Sequence, residues 1–182
     1  MADLDEARIP VHAVATDVLS GRDVLLSSGP TCSAVLASAA IPAVFPAVEV
    51  GGRMLFDGGV VNNSPISHAV ALGADRVVVL PTGYACALPA APATALGSAV
   101  HALTLLVEQR LVVEVEAYAE RVELLVLPPL CPLSISASDF RHSHELMERA
   151  RRTSTSALEA GAGGAHPERV LSLHDHDSAV AA

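Results

Sequence analysis

The most restrictive feature of the chain is an uninterrupted aliphatic run at residues 76–80, where Arg76 is followed by Val77, Val78, Val79 and Leu80 just after Gly73 closes a helical stretch. A strand that is apolar on both faces needs cover on both, and such strands are found in parallel sheets flanked by helices. Helix, short loop and buried strand together make an α/β unit. Residues 122–127 repeat the pattern before Pro128 and Pro129, and a long apolar helix over about residues 95–119 lies between the two runs. The expected class is therefore α/β. Apolar residues make up 51% of the 182 positions and charged residues 17%, a balance that excludes disorder and fits one domain. Aromatic residues are only 3% and Trp is absent, so the core has to be built from Ala, Val and Leu.

The formal net charge is −9 and every basic residue is Arg, which excludes attraction to nucleic acid. Cys32, Cys86 and Cys131 are odd in number and far apart, so neither a disulfide framework nor a zinc site is indicated and a reducing compartment fits better. The first residues, Met1 through Glu6, are acidic with no apolar run behind them, unlike a signal peptide, and a cytoplasmic location is the expectation. The most apolar stretch, residues 95–107, stops at Glu108, Gln109 and Arg110, short of the roughly 20 residues that cross a bilayer. It reads as a core helix with no transmembrane segment. Peripheral contact with a membrane is left open.

Residues 8–17 and 23–27 read as two strands around a turn at Ser20 and Gly21, and residues 31–40 as a short buried helix between Pro30 and Pro42. Residues 48–50 and 53–56 flank Gly51 and Gly52, paired glycines that supply the positive φ angles of a tight hairpin turn. That hairpin delivers Asp57 at its end. Gly58 and Gly59 follow, so a carboxylate at a strand end sits beside two residues without side chains, where another backbone can approach closely. A loop continues through Asn62 and Asn63 to a helix with Ser64 as its cap and Pro65 in its first position, ending at Gly73. Residues 84–92 read as a Pro and Ala linker, residues 140–159 as an Arg-rich surface helix, and residues 161–182 as a flexible tail.

An Asp-Gly pair by itself marks an ordinary turn. Its neighbours change the reading. Ala15, Thr16 and Asp17 close a strand; Ala37 to Pro46 then spell ASxAxPxxFP, and Asp57 to Pro65 spell DGGxxxNxP. In this order and spacing they resemble the C-terminal half of a patatin-like phospholipase, with the strongest match over residues 9–82 and a looser one through residue 160. The resemblance implies part of a three-layer α/β/α fold with a mainly parallel sheet and a hairpin leading into the DGG loop. It also implies a lipid acyl hydrolase that uses a serine and an aspartate with no histidine between them, and no cofactor. Asp57 matches the dyad aspartate, Gly58 and Gly59 the active-site loop, and Asn63 and Pro65 residues that fix that loop. A lone carboxylate is a weak base near its usual pKa, so it serves only if burial raises that value or a hydrogen bond aligns the serine hydroxyl.

The sequence departs from that family in lacking a GxSxG elbow and a glycine-rich oxyanion loop. Gly97 and Ser98 fall inside the long helix, and Ser38, within the ASxAxPxxFP segment, reads as a packing residue. In the family both missing elements precede the matched segment. The chain is expected to be inactive alone, and either to need that N-terminal half or to self-associate. The alternative is a non-catalytic α/β binding or scaffolding module. His142 and His144, and His174 to Asp177, read as solvated polar stretches and not as metal ligands, and no GxGxxG supports a dinucleotide site.

Overall fold

The computed structural model describes residues 2–81, 91–130 and 140–161. Strands β1 (Ala13–Asp17), β2 (Asp23–Leu26), β3 (Val48–Val50) and β4 (Arg53–Asp57) form one sheet in the order β2-β1-β4-β3. Every neighbouring pair in it is antiparallel. The expected mainly parallel sheet is thus found only in part, and two short turns set the antiparallel pairing of β1 with β2 and of β3 with β4, since parallel neighbours need a long crossover. At the first turn the Asp17 carboxylate accepts the amides of Leu19 and Ser20 and the Ser20 hydroxyl, with Gly21 at φ +65°. At the second, Gly51 and Gly52 adopt φ +58° and +74°, the paired positive angles of a two-residue primed turn. Parallel pairing does occur between β5 (Arg76–Val79) and β6 (Glu123–Val126), which the helix α4 (Ala95–Tyr118) separates in sequence.

Helix α1 (Thr31–Ser38) buries Ala34 and Ala37, and the small side chain of Ala37 packs against Ala15 and Leu55 of the antiparallel sheet. Val24, Leu26, Val48 and Val50 surround this first core. A second core joins Ile66 of α3 (Ile66–Ala71) with Val77, Val79, Leu111, Val115, Leu124 and Val126. Helix α3 closes on Gly73 at φ +93°, with the Gly73 amide bonded to the Val70 carbonyl and the Ala74 amide to that of Ala69. This left-handed closure satisfies the last carbonyls and needs a glycine. Among the described residues the core is Ala, Val and Leu with a single Ile, as the composition required.

Two expectations of burial change. In β5 Val77 and Val79 are buried, but Val78 is 45% and Leu80 67% exposed, so the run is covered on one face only. Helix α4 has the length expected from residues 95–119, but it is not a core helix: its buried residues, Leu111, Glu114 and Val115, all lie in its C-terminal half. Over 24 residues, with an apolar window of mean hydropathy 1.3 that is only 6% buried, it is long and apolar enough to cross a membrane by length and composition. In its second half Arg110 pairs with Glu114 one turn on, at 2.7 Å. Helix α5 (Ser143–Glu159) buries no residue and is the expected surface helix. Residues 84–90 of the linker, Cys86, Cys131, and residues 162–182 with His174 to Asp177 lie outside the described residues.

An exposed aliphatic strand face and a long, largely unburied apolar helix favour association. The 182-residue chain is expected to elute ahead of a monomer in size-exclusion chromatography and to brighten an apolar dye, and Val78→Thr with Leu80→Thr should reduce both signals. A monodisperse monomer with no dye response would show that these faces are closed within the chain.

Candidate active site

Asp57 is the last residue of β4, and its backbone is held on two sides. Its amide donates to the Ala40 carbonyl at 3.0 Å, and its carbonyl accepts the hydroxyl of buried Thr16 at 2.9 Å. Through the β1–β4 register it faces Ala15. The ASxAxPxxFP segment therefore touches the DGG loop directly: α1 ends at Ser38, the chain turns through Ala40, and that carbonyl fixes the start of the loop. The segment continues into a tight turn in which the Phe45 amide returns to the Ile41 carbonyl and Ala43 takes φ +68°. Alanine in the left-handed region costs about 1 kcal/mol, so surrounding contacts impose this turn.

The carboxylate is half-buried. Its Oδ1 accepts the Gly59 amide at 2.7 Å, its one hydrogen bond among the described residues. Burial pushes the Asp57 carboxyl above its usual range, and the Gly59 amide only partly reverses this. Gly58 has an ordinary helical φ of −61° and is required for another reason: a Cβ there would sit 2.2 Å from the Val14 carbonyl oxygen. At Gly59 a Cβ would lie 3.0 Å from both Asp57 Oδ1 and Asn63 Oδ1. Two clefts meet at Asp57 and Gly59. One, of about 360 Å³, is lined with His12, Ser38, Asn62, Asn63 and Pro65 among others. The other, of about 310 Å³, is apolar apart from Thr104, Glu108 and Asn63, and is walled by Ile41, Val60, Val100, Leu103 and Val107.

The loop beyond Gly58 differs from the expectation. Residues 59–62 form a single helical turn, α2 (Gly59–Asn62), and α3 is capped by Pro65, with Ser64 outside it and no side-chain cap bond. Asn63 is exposed on the rim of both clefts. Ser38 lines the larger cleft but forms no hydrogen bond with the Asp57 carboxylate. Sequence reading missed a polar network next to the loop. Asn62, 2% exposed, donates to Asp23 Oδ2 at 3.4 Å and to Ser67 Oγ at 3.0 Å, and the His68 Nε2–H donates to the same Asp23 oxygen at 2.7 Å. Glu114, buried on α4, accepts the Ser67 amide at 2.9 Å. Burial alone would raise the Asp23 carboxyl, but the bonds from Asn62 and His68, together with the charge of His68, hold it below its usual range. No sequence signal joins residues 39 and 45 positions apart.

These features define a mixed α/β protein that presents one half-buried carboxylate from a strand end to an open, partly apolar cleft. Residues 5–70, a segment that includes the whole DGG loop, match the family model described as patatin-like phospholipase. Over 77 residues it is 39% identical to a protein of Mycobacterium bovis named as an uncharacterized NTE family protein, and equally to proteins of that name from two strains of Mycobacterium tuberculosis. The match takes in 42% of this chain and 21% of each relative, so it spans about a fifth of the relatives' length.

Gly58→Ala forces a methyl group into the Val14 carbonyl, and is expected to cost about 1–3 kcal/mol or more, because backbone lies opposite and cannot turn aside. Chemical denaturation would measure it; an unchanged midpoint would contradict the close approach. Asp57 carries the opposite sign. A carboxyl whose pKa is raised by folding costs stability once it is ionised in both states; this cost is absent below the usual carboxylate range and complete above the raised value. Asp57→Asn keeps an oxygen for the Gly59 amide and removes the charge. It is expected to raise Tm near neutral pH and to leave it unchanged at about pH 3, below the usual carboxylate range. An equal Tm change at both pH values would show that the buried charge is not the cause.

Proposed function

We propose that this chain carries the aspartate of a serine–aspartate acyl hydrolase acting on lipid or other acyl esters, with the serine and the oxyanion donors contributed by residues outside this sequence, which contains no GxSxG. The observation that carries the reading is the Asp57 carboxylate: it is half-buried, bonded by one amide, and raised in pKa where two clefts meet. A carboxylate in that state is a better base than a solvated one. In the proposed reaction Asp57 takes the proton of the serine hydroxyl as the serine oxygen attacks the ester carbonyl, and returns it to the departing alcohol. Water then attacks the acyl-serine, Asp57 taking its proton and passing it to the serine oxygen as the carboxylic acid departs. The single amide on Oδ1 leaves the rest of the carboxylate available to a hydroxyl. The apolar wall of Ile41, Val60, Val100, Leu103 and Val107 beside Asp57 supports an acyl chain as the group bound there.

The test is hydrolysis of a short-chain nitrophenyl ester. The chain alone is expected to stay at background. Fused to the GxSxG-bearing portion of a patatin-like protein it is expected to turn over, and Asp57→Asn in the fusion should lower kcat by about 10²–10⁴-fold, the range for loss of a general base. Near-unchanged turnover in Asp57→Asn would remove Asp57 from the mechanism.

A further inference from the structure

Helix α2 is one turn long, has no capping side chain, and yet supplies the amide that holds Asp57. A lone turn does not persist by itself, because nucleating a helix fixes several residues for a single hydrogen bond. Its two ends must be held from outside. The leading end is fixed by Gly58, wedged against the Val14 carbonyl, whose own carbonyl accepts the amides of Val61 and Asn62 at 3.1 and 2.7 Å. The trailing end is Asn62, whose side chain is buried and bonded to both Asp23 on β2 and Ser67 on α3.

One detail shows that Asn62 does more than fill space. Its Oδ1 is buried with no hydrogen-bond partner, whereas its Nδ2 makes two bonds. An unpaired buried carbonyl costs about 1–3 kcal/mol, a cost a Leu of similar size would avoid. What Asn provides and Leu cannot is the pair of donated bonds. Both of its partners are themselves held: Asp23 also receives the His68 imidazole, and the Ser67 backbone is fixed by Glu114, which Arg110 pairs with from the same helix.

We propose that Asn62 is a positioning residue for Asp57: by tying the end of α2 to Asp23 and Ser67 it keeps the Gly59 amide on the Asp57 carboxylate and water away from it. The inference takes from the proposed function that Asp57 is the working carboxylate, but its geometry is testable without turnover. Loosening α2 removes the amide, which lowers the Asp57 pKa, and also admits water, which relieves the larger upward effect of burial. The net change is downward.

The experiment is carboxyl-carbon NMR titration of Asp57 together with amide exchange of Gly59, in the full 182-residue chain and in Asn62→Leu. Asp57 is expected to titrate at lower pH, closer to an ordinary aspartate, and the Gly59 amide to exchange at least about tenfold faster. Ser67→Ala, which removes one of the two anchors and leaves Asp23, should move both signals in the same direction by less, and it decides the matter if Asn62→Leu does not fold. A lowered Tm with unchanged Asp57 titration and unchanged Gly59 exchange would make Asn62 merely structural and overturn the proposal. Absence of ester hydrolysis in the fused protein would leave these two signals untouched and would count against the proposed function alone.

Discussion

The site depends on a contact between backbones. The Gly58 Cα lies so close to the Val14 carbonyl that no side chain fits between them, and this proximity sets where β4 ends, where α2 starts and therefore where the carboxylate points. The hydrogen bonds from Asp57 to Ala40 and from Thr16 to Asp57 act on the same few residues. Three elements distant in sequence, β1, the α1 exit and β4, are thereby joined at main-chain level. Backbone groups buried in this way must be paired, which leaves the arrangement little freedom.

How far the sequence could be read follows from the range of each interaction. The Gly51 and Gly52 hairpin, the closure of α3 on Gly73 and the placement of Asp57 at a strand end are all determined within a few residues, and residue type alone reveals them. The role of Gly58 was legible as a need for close approach, though the partner was not, because Val14 is 44 positions away. Residues 76–80 misled for a related reason: the four aliphatic side chains of Val77 to Leu80 state that cover is wanted on both faces, and only the fold decides whether it is supplied. The residues 95–107 misled through composition. Their apolar character suggested burial, but the buried residues of α4 lie in its later part, and Val100, Leu103 and Val107 instead line the open cleft beside Asp57.

The polar network shows the limit most clearly. Asp23 reads as the first residue of a strand, Ser67 and His68 as ordinary helix positions, and Asn62 as the neighbour of a motif residue. Their convergence is a property of β2, α2 and α3 meeting in space. A charged residue that is largely removed from water, such as Glu114, is tolerated because both carboxylate oxygens are engaged, one by a backbone amide and one by an arginine.

The two apolar cores share no residue. One lies between α1 and the antiparallel sheet, the other between α3, α4 and the parallel pair, and α2 with its polar attachments runs along the line between them. Packed apolar groups resist displacement because each shift opens a void, whereas hydrogen-bonded polar groups can exchange partners with water at modest cost. A shift of one half against the other would therefore meet less resistance along that line than within either core. Because Asp57 Oδ1 is bonded to the Gly59 amide at the start of α2, such a shift would act directly on the carboxylate.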